Sequence, residues 1–233
     1  MILQVRNLTG GYTKNHDILQ GVHLNVAKGD AVGIIGLNGC GKSSFAKALL
    51  NILPYRQGEI QMNGEDISKK TTKELSDIGI SLFMQGGRIF DELSVWENLK
   101  ISTNFEKKID EIQEYFLFLR DNSKSVHLKK MRSDRLSGGE RSQLALAMSV
   151  LQEPSLLILD EPSAALSPLA ADGIYQSLNL LRKKMGISII LIEQNVARCV
   201  EFCSSVNMLR DGKIMYSSEN KNIKEIEKIM FNN

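Results

Sequence analysis

Gly36-Leu37-Asn38-Gly39-Cys40-Gly41-Lys42-Ser43 follows the apolar run Ala31-Val32-Gly33-Ile34-Ile35 and precedes Phe45, Ala48, Leu49 and Ile52, which recur at helical spacing. Strand, glycine-rich loop and helix in that order make a βα unit, and the spacing G-x-x-x-x-G-K-[ST] is that of a phosphate-binding loop. Glycines let consecutive backbone N–H groups turn inward around the α- and β-phosphates of a nucleotide. The helix start adds its positive dipole end, Lys42 reaches the β/γ oxygens, and the Ser43 hydroxyl is a ligand for Mg²⁺. With the adjoining Ser44, these residues are the candidate nucleotide-binding set. A thiol inside the loop, Cys40, makes alkylation an obstruction to nucleotide.

Outward from the loop, other short apolar runs read as strands: residues 156–159, 187–192 and 206–209, with 78–84 before them. Helix-like segments at 168–185 and 195–203 lie between them. Continuous apolar strands alternating with helices indicate a parallel α/β sheet covered on both faces. Leu3 and Val5, then Val22, Leu24 and Val26, alternate and predict a small N-terminal antiparallel sheet, with Gly10-Gly11-Tyr12 as the turn region between them. Residues 59–62 before Asn63-Gly64 suit a strand entering a turn. From 86 to 136 charges are dense and strand alternation disappears, and 95–99 and 109–119 read as helical, so this stretch is expected to be an inserted helical lobe. Asp211-Gly212 is a hairpin signal, and 222–231 reads as a surface helix.

Composition narrows the function. The 233 residues carry 29 Lys+Arg against 27 Asp+Glu, a net charge of +2, which gives no electrostatic ground for nucleic acid or anionic lipid as a ligand. The longest apolar run is far short of the roughly 18 residues of a membrane span, and the first residues carry no secretory pattern. Three cysteines, Cys40, Cys199 and Cys203, with no CxxC pair point to a reducing compartment. Cys199 and Cys203, four apart, read as small buried residues sharing a helix face.

Two further segments carry chemistry. Asp160 and Glu161 close the run 156–159, and the carboxyl end of a strand is where α/β proteins hold ligands. Asp160 is placed to hold the Mg²⁺ shell, and Glu161 to polarise a water in line with the γ-phosphate. Leu136-Ser137-Gly138-Gly139-Glu140 opens a helical stretch, and a serine hydroxyl with glycine N–H groups at a helix start makes a second anion site.

With this last segment the chain resembles the ATP-binding-cassette (ABC) ATPases over nearly its whole length. The family's signature sequence is the Leu-Ser-Gly-Gly-Gln/Glu segment at 136–140, in order with the phosphate loop and the acidic strand end. The resemblance implies a P-loop NTPase core of α/β type with an N-terminal antiparallel β subdomain and an inserted helical subdomain. Residues 1–85 and 137–233 would form the RecA-like core with its β subdomain, and 86–136 most of the helical lobe, in one domain. It further implies that Tyr12 stacks on adenine, and that Gln85 senses Mg²⁺ and γ-phosphate and relays that state to a membrane partner. Two such domains would pair head to tail, with Ser137, Gly138, Gly139 and Glu140 of each closing on the other's ATP. The implied catalytic residues are Glu161, Lys42 and Gln194, and the implied metal ligands Ser43, Gln85 and Asp160.

Residues 85–99 and the segment Ile192-Glu193-Gln194-Asn195 are similar to the ATP-binding subunits of branched-chain amino-acid importers. Gln194 stands where most cassettes have a histidine, and brings a neutral amide in place of a cation. Ser167 stands where an aspartate is common, and Met148 where an arginine is. The expected function is ATP hydrolysis that powers an amino-acid importer, with transmembrane permease subunits, a second ATPase subunit and a substrate-binding protein as partners. The expected location is cytoplasmic, peripheral at the inner face of the membrane. Ile89, Phe90, Leu93, Val95 and Trp96 are the expected docking surface for a permease helix. The rivals are the ATPase of an exporter or of a soluble assembly complex, and a nucleotide-gated interaction module with little hydrolysis.

Overall fold

A computed structural model describes residues 1–103, 106–120, 130–219 and 222–231. Two sheets organise them. The smaller, in the order β2-β1-β4-β5, contains β1 (Leu3–Gly11), β2 (Leu19–Val26), β4 (Tyr55–Met62) and β5 (Glu65–Asp66), all antiparallel. Gly10 and Gly11 are not the turn expected between β1 and β2. They end β1 itself, paired with Arg56 and Tyr55, because a Cβ on Gly10 would lie 2.4 Å from the Tyr55 carbonyl oxygen and one on Gly11 2.0 Å from that of His16. Glycine here permits a close approach of backbones.

The larger sheet runs β10-β9-β3-β8-β7-β6. Its members are β3 (Ala31–Ile35), β6 (Ile80–Phe83), β7 (Leu156–Asp160), β8 (Ser188–Glu193), β9 (Ser205–Arg210) and β10 (Lys213–Ser218). Five strands are parallel, as expected, but β10 pairs antiparallel to β9 and caps one edge. Strands β3, β7 and β8 are buried along their whole length. Successive strand side chains point to opposite faces, so each strand feeds two cores. Ala31, Ile35, Leu157, Leu159, Ile189 and Leu191 enter one, while Val32, Ile34, Leu156, Ile158, Ile190 and Ile192 enter the other.

The second of these cores is shared with the small sheet, through Leu3, Val5 and Val22, and with α1 (Lys42–Leu49), through Phe45 and Leu49. The first is covered by α6 (Gly138–Val150), α7 (Pro168–Met185) and α8 (Val196–Phe202). Helix α7 shows why these segments are helical. Ser167 caps its start, Pro168 takes the first turn, Arg182, Lys183 and Lys184 sit at its negative end, and Gly186 at φ 65° terminates it. Helix α2 (Thr72–Asp77), not foreseen, begins with a Thr71/Glu74 capping box.

Residues 86–136 contain α3 (Val95–Ser102), α4 (Glu106–Ile112) and the four-residue α5 (Leu117–Arg120), with 3₁₀ turns at Gln113–Tyr115 and Ser133–Arg135. The expected continuous helix at 109–119 is broken at Phe116, whose backbone is extended while its side chain is wholly buried in the helix-covered core. Residues 104–105 and 121–129 of the expected lobe lie outside the described residues. Of the expected docking surface, Val95 is core, Ile89 and Trp96 pack against the core, and Phe90 is 53% exposed. The tail helix α9 (Ile223–Phe231) buries Ile226 and Met230. No helix among the described residues is long and apolar enough to cross a membrane. Cys40, Cys199 and Cys203 are buried and in no disulfide, the last two with sulfurs 3.9 Å apart.

Candidate active site

Three neighbouring strands end together. Ile35 is opposite Glu193, and Ile192 is opposite Asp160, so residues 36–41 after β3, Glu161 after β7 and Gln194 after β8 are gathered at one edge of the sheet. Gly41, at φ 108°, turns the loop into α1. Gly36 admits no side chain, since its Cβ would lie 2.3 Å from the Leu209 carbonyl oxygen.

Lys42 is buried and folds back over the loop, its Nζ donating to the carbonyls of Gly36 at 2.9 Å and Leu37 at 3.1 Å. The same Nζ lies 3.6 Å from Glu161 Oε1, and that oxygen accepts a 2.6 Å hydrogen bond from Gln194 Nε2. Glu161 is 8% exposed and adopts φ 49°, a left-handed conformation that costs a residue with a Cβ about 1 kcal/mol or more. Its N–H still donates to the Ile192 carbonyl at 2.9 Å. The strand is thus held to its last bond while the side chain turns toward Lys42.

Asp160 is buried, and its Oδ1 has no hydrogen-bond partner. Burial pushes its carboxyl above the usual carboxylate range, and the hydrogen bond with Ser43 opposes this. Two carboxylates face one ammonium here, and an orphaned buried oxygen next to a hydroxyl fits a small hard cation. The described residues contain no cluster of three or more His, Cys, Asp or Glu. One carboxylate and one hydroxyl suit a cation that takes its remaining ligands from phosphate and water, as Mg²⁺ does.

Of the expected residues, the structure brings together the loop 36–41, Lys42, Ser43, Asp160, Glu161 and Gln194. Ser44 is buried behind them in α1. Tyr12 is half exposed and tied to α1. Its hydroxyl accepts from Lys47 Nζ at 3.0 Å, and the hydrogen bonds with Lys47 and Ser44 hold the phenol below its ordinary pKa. Burial pushes the Cys40 thiol up. Gln85 is exposed just after β6, beside Gly87, which packs against Ala145 of α6.

The signature residues lie elsewhere, at the start of α6 against Leu166 and Ala170. There Ser137 and Glu140 form a reciprocal capping box: Ser137 Oγ donates to Glu140 Oε2 at 2.7 Å, as does Ser137 N–H at 2.9 Å. The helix start is already faced by a carboxylate of its own chain.

Sequence reasoning missed Lys47 as the partner of Tyr12, and a buried group behind the site. Glu193, 3% exposed, accepts from Ser163 Oγ at 2.7 Å and Tyr175 OH at 2.9 Å through Oε1, and from the Gln194 N–H at 3.2 Å through Oε2. A single acid closing an otherwise apolar strand run was the available signal.

A family model described as ABC transporter matches residues 19–164. The chain is 31% identical to a probable branched-chain amino acid transport ATP-binding protein, LivF, of Archaeoglobus fulgidus, covering 97% of this chain and 96% of that one. It is 28% identical to a lipopolysaccharide export system ATP-binding protein, LptB, of Haemophilus influenzae, covering 98% and 95%. A crystal structure of the ADP conformation of MJ1267, an ATP-binding cassette of an ABC transporter, superposes with a TM-score of 0.83 at 25% identity, covering 99% of this chain and 95% of that one.

Proposed function

Because the chain belongs to the ABC transporter family and is an ATP-hydrolysing enzyme, we propose that it powers a branched-chain amino-acid importer as one of two ATPase subunits. The observation that carries the catalytic reading is the cluster of Lys42, Glu161 and Gln194 at the ends of three adjacent strands. In this reading the N–H groups of the loop and Lys42 hold the β- and γ-phosphates, and Lys42 exchanges its carbonyl partners for phosphate oxygens. Glu161 accepts a proton from water as the water oxygen attacks the γ-phosphorus. The bond from that phosphorus to the bridging oxygen breaks, and ADP and phosphate result. Gln194 fixes the orientation of the Glu161 carboxylate by its short amide hydrogen bond. Ser43 and Asp160 would hold Mg²⁺, which when bound neutralises phosphate charge. Tyr12 supplies an exposed ring for adenine, and Gln85, exposed just after β6, is the residue that would sense the γ-phosphate.

The pairing of two chains is read from the signature. Ser137, Gly138 and Gly139 lie exposed or half-exposed at a helix start, a site for the γ-phosphate of ATP held by a second copy. Phe90 and the edges of Ile89 and Trp96 form the surface offered to a permease. The amino-acid substrate rests on the likeness to LivF and on the segments 85–99 and 192–195.

The test is reconstitution. The chain is purified with its membrane partner from detergent and placed in proteoliposomes with the cognate binding protein. Leucine, isoleucine or valine is expected to stimulate hydrolysis and to accumulate inside. Stimulation by none of them, or ATP-driven movement of a lipid outward, would replace this reading by the exporter one, which the likeness to LptB favours.

A further inference from the structure

We propose that Glu193 is a positioning residue that sets the angle between Gln194 and Glu161, and so the turnover rate, without touching ATP. This rests on the reading of Glu161 and Gln194 given above.

The geometry is a closed ring. Glu161 and Ser163 are joined by two peptide bonds through Pro162. Ser163 donates to Glu193, Glu193 is bonded covalently to Gln194, and Gln194 donates back to Glu161 Oε1. Glu193 Oε2 also accepts the Gln194 N–H, which fixes the backbone from which the Gln194 amide projects. From outside the ring Tyr175 of α7 donates to Glu193. Burial, and next the nearby Glu193 carboxylate, push the Tyr175 phenol well up, so it remains a donor. Tyr175 is itself pinned. Arg198 lies over its ring at 5.4 Å and pairs with Asp172 at 3.0 Å, and Phe202 meets it edge to face at 5.6 Å.

A buried carboxylate accepting three hydrogen bonds is satisfied only while all its donors hold their places. Glu193 therefore opposes any rotation of Gln194 or drift of the 161–163 turn, and a displacement near 1 Å at a reacting group is enough for about a hundredfold loss of rate.

Glu193→Gln is the informative change. It keeps the volume but replaces one accepting oxygen by an NH₂ group, so either the Gln194 N–H loses its acceptor or the Ser163 and Tyr175 hydroxyls must turn round to accept. The expected result is a kcat lowered about 10- to 100-fold, with ATP affinity close to wild type and Tm lowered by about a few degrees for the mispaired buried group. The drop is expected to vanish in a Gln194→Ala background, because nothing is left to position. Ser163→Ala, a smaller perturbation of the same ring, should lower kcat severalfold and be masked in the same background; it keeps the proposal testable if Glu193→Gln fails to fold. Wild-type kcat in Glu193→Gln, or in Ser163→Ala where that is the variant used, would overturn the proposal. So would an equal fold-drop with and without Gln194, a parallel loss of ATP affinity, or wild-type turnover in Gln194→Ala alone. Failure of the underlying catalytic reading shows separately, as undiminished hydrolysis in Glu161→Gln.

Discussion

Glu161→Gln is the perturbation that separates binding from chemistry most cleanly. The substitution is close to isosteric, and an amide oxygen can still accept the 2.6 Å bond from Gln194 Nε2, so the fold around the strand end should hold. What changes is charge. At 3.6 Å and an effective dielectric of about 20, the Lys42–Glu161 attraction is about 5 kcal/mol gross. Most of that is cancelled by the hydration both groups lose on burial. ATP has to draw Lys42 away from this counterion and bring its own negative charge beside two carboxylates. Removing one of them frees the ammonium. A net remainder of about 1.4 kcal/mol would tighten ATP roughly tenfold. Turnover should move the opposite way, falling about 10²- to 10⁴-fold with the loss of a general base. Equilibrium titration with a fluorescent ATP analogue and steady-state phosphate release measure the two effects. Hydrolysis within about fivefold of wild type would refute the role of Glu161 as base, and weaker ATP binding would refute the counterion argument.

Asp160→Asn should raise Tm near neutral pH while raising the Mg²⁺ concentration that activity requires. The carboxyl of Asp160 is raised above its unfolded value by burial, so its favourable contribution is complete below the unfolded pKa and disappears as pH rises through the folded one. Calorimetry of both proteins across that range should show the curves converging at low pH. Tyr12→Ala should weaken ATP by about 1–3 kcal/mol, the usual contribution of base stacking, whereas Tyr12→Phe keeps the ring and should stay within about threefold; titration distinguishes them. Gly33→Ala places a Cβ 2.3 Å from Cys199 Sγ and should destabilise by about 1–3 kcal/mol. Adding Cys199→Ala removes that sulfur and should recover most of the loss in a thermal melt.

The phosphate loop, the acidic strand end and the buried strands were legible because each has a local cause. Gly36, Lys42 and Ser43 stand in fixed spacing, and the run at 156–159 is apolar without a break. Strand order was not legible. The pairing of Leu3 with both Val26 and Met62 is a long-range fact that no window of sequence contains. Gly10 and Gly11 misled because glycine serves turns and close backbone approaches alike. Residues 213–218 alternate exposed and half-buried along an edge, so only their turn, Asp211-Gly212, left a mark. Phe116 looked helical by spacing, yet its backbone is extended where its ring enters the core, a long-range contact that spacing does not encode. Glu193 escaped because a carboxylate ending a strand reads as solvated, and its three donors come from Ser163, Tyr175 and the next residue.

The parallel ladder through β3, β8 and β7 also governs where this chain can change length. Ile34 is opposite Ile192, which is opposite Asp160, without a bulge between them. One residue inserted in any of these strands would send every later side chain to the wrong face, exchanging the two cores and separating Lys42 from Glu161. Between β6 and α6 the chain leaves the sheet and returns, and its ends are fixed by contacts such as Gly87 on Ala145. A loop there can double for about 0.6 kcal/mol. The molecule is locked to the residue in one stretch, whereas the other tolerates added length between its buried anchors, among them Val95, Leu99, Ile109 and Phe116.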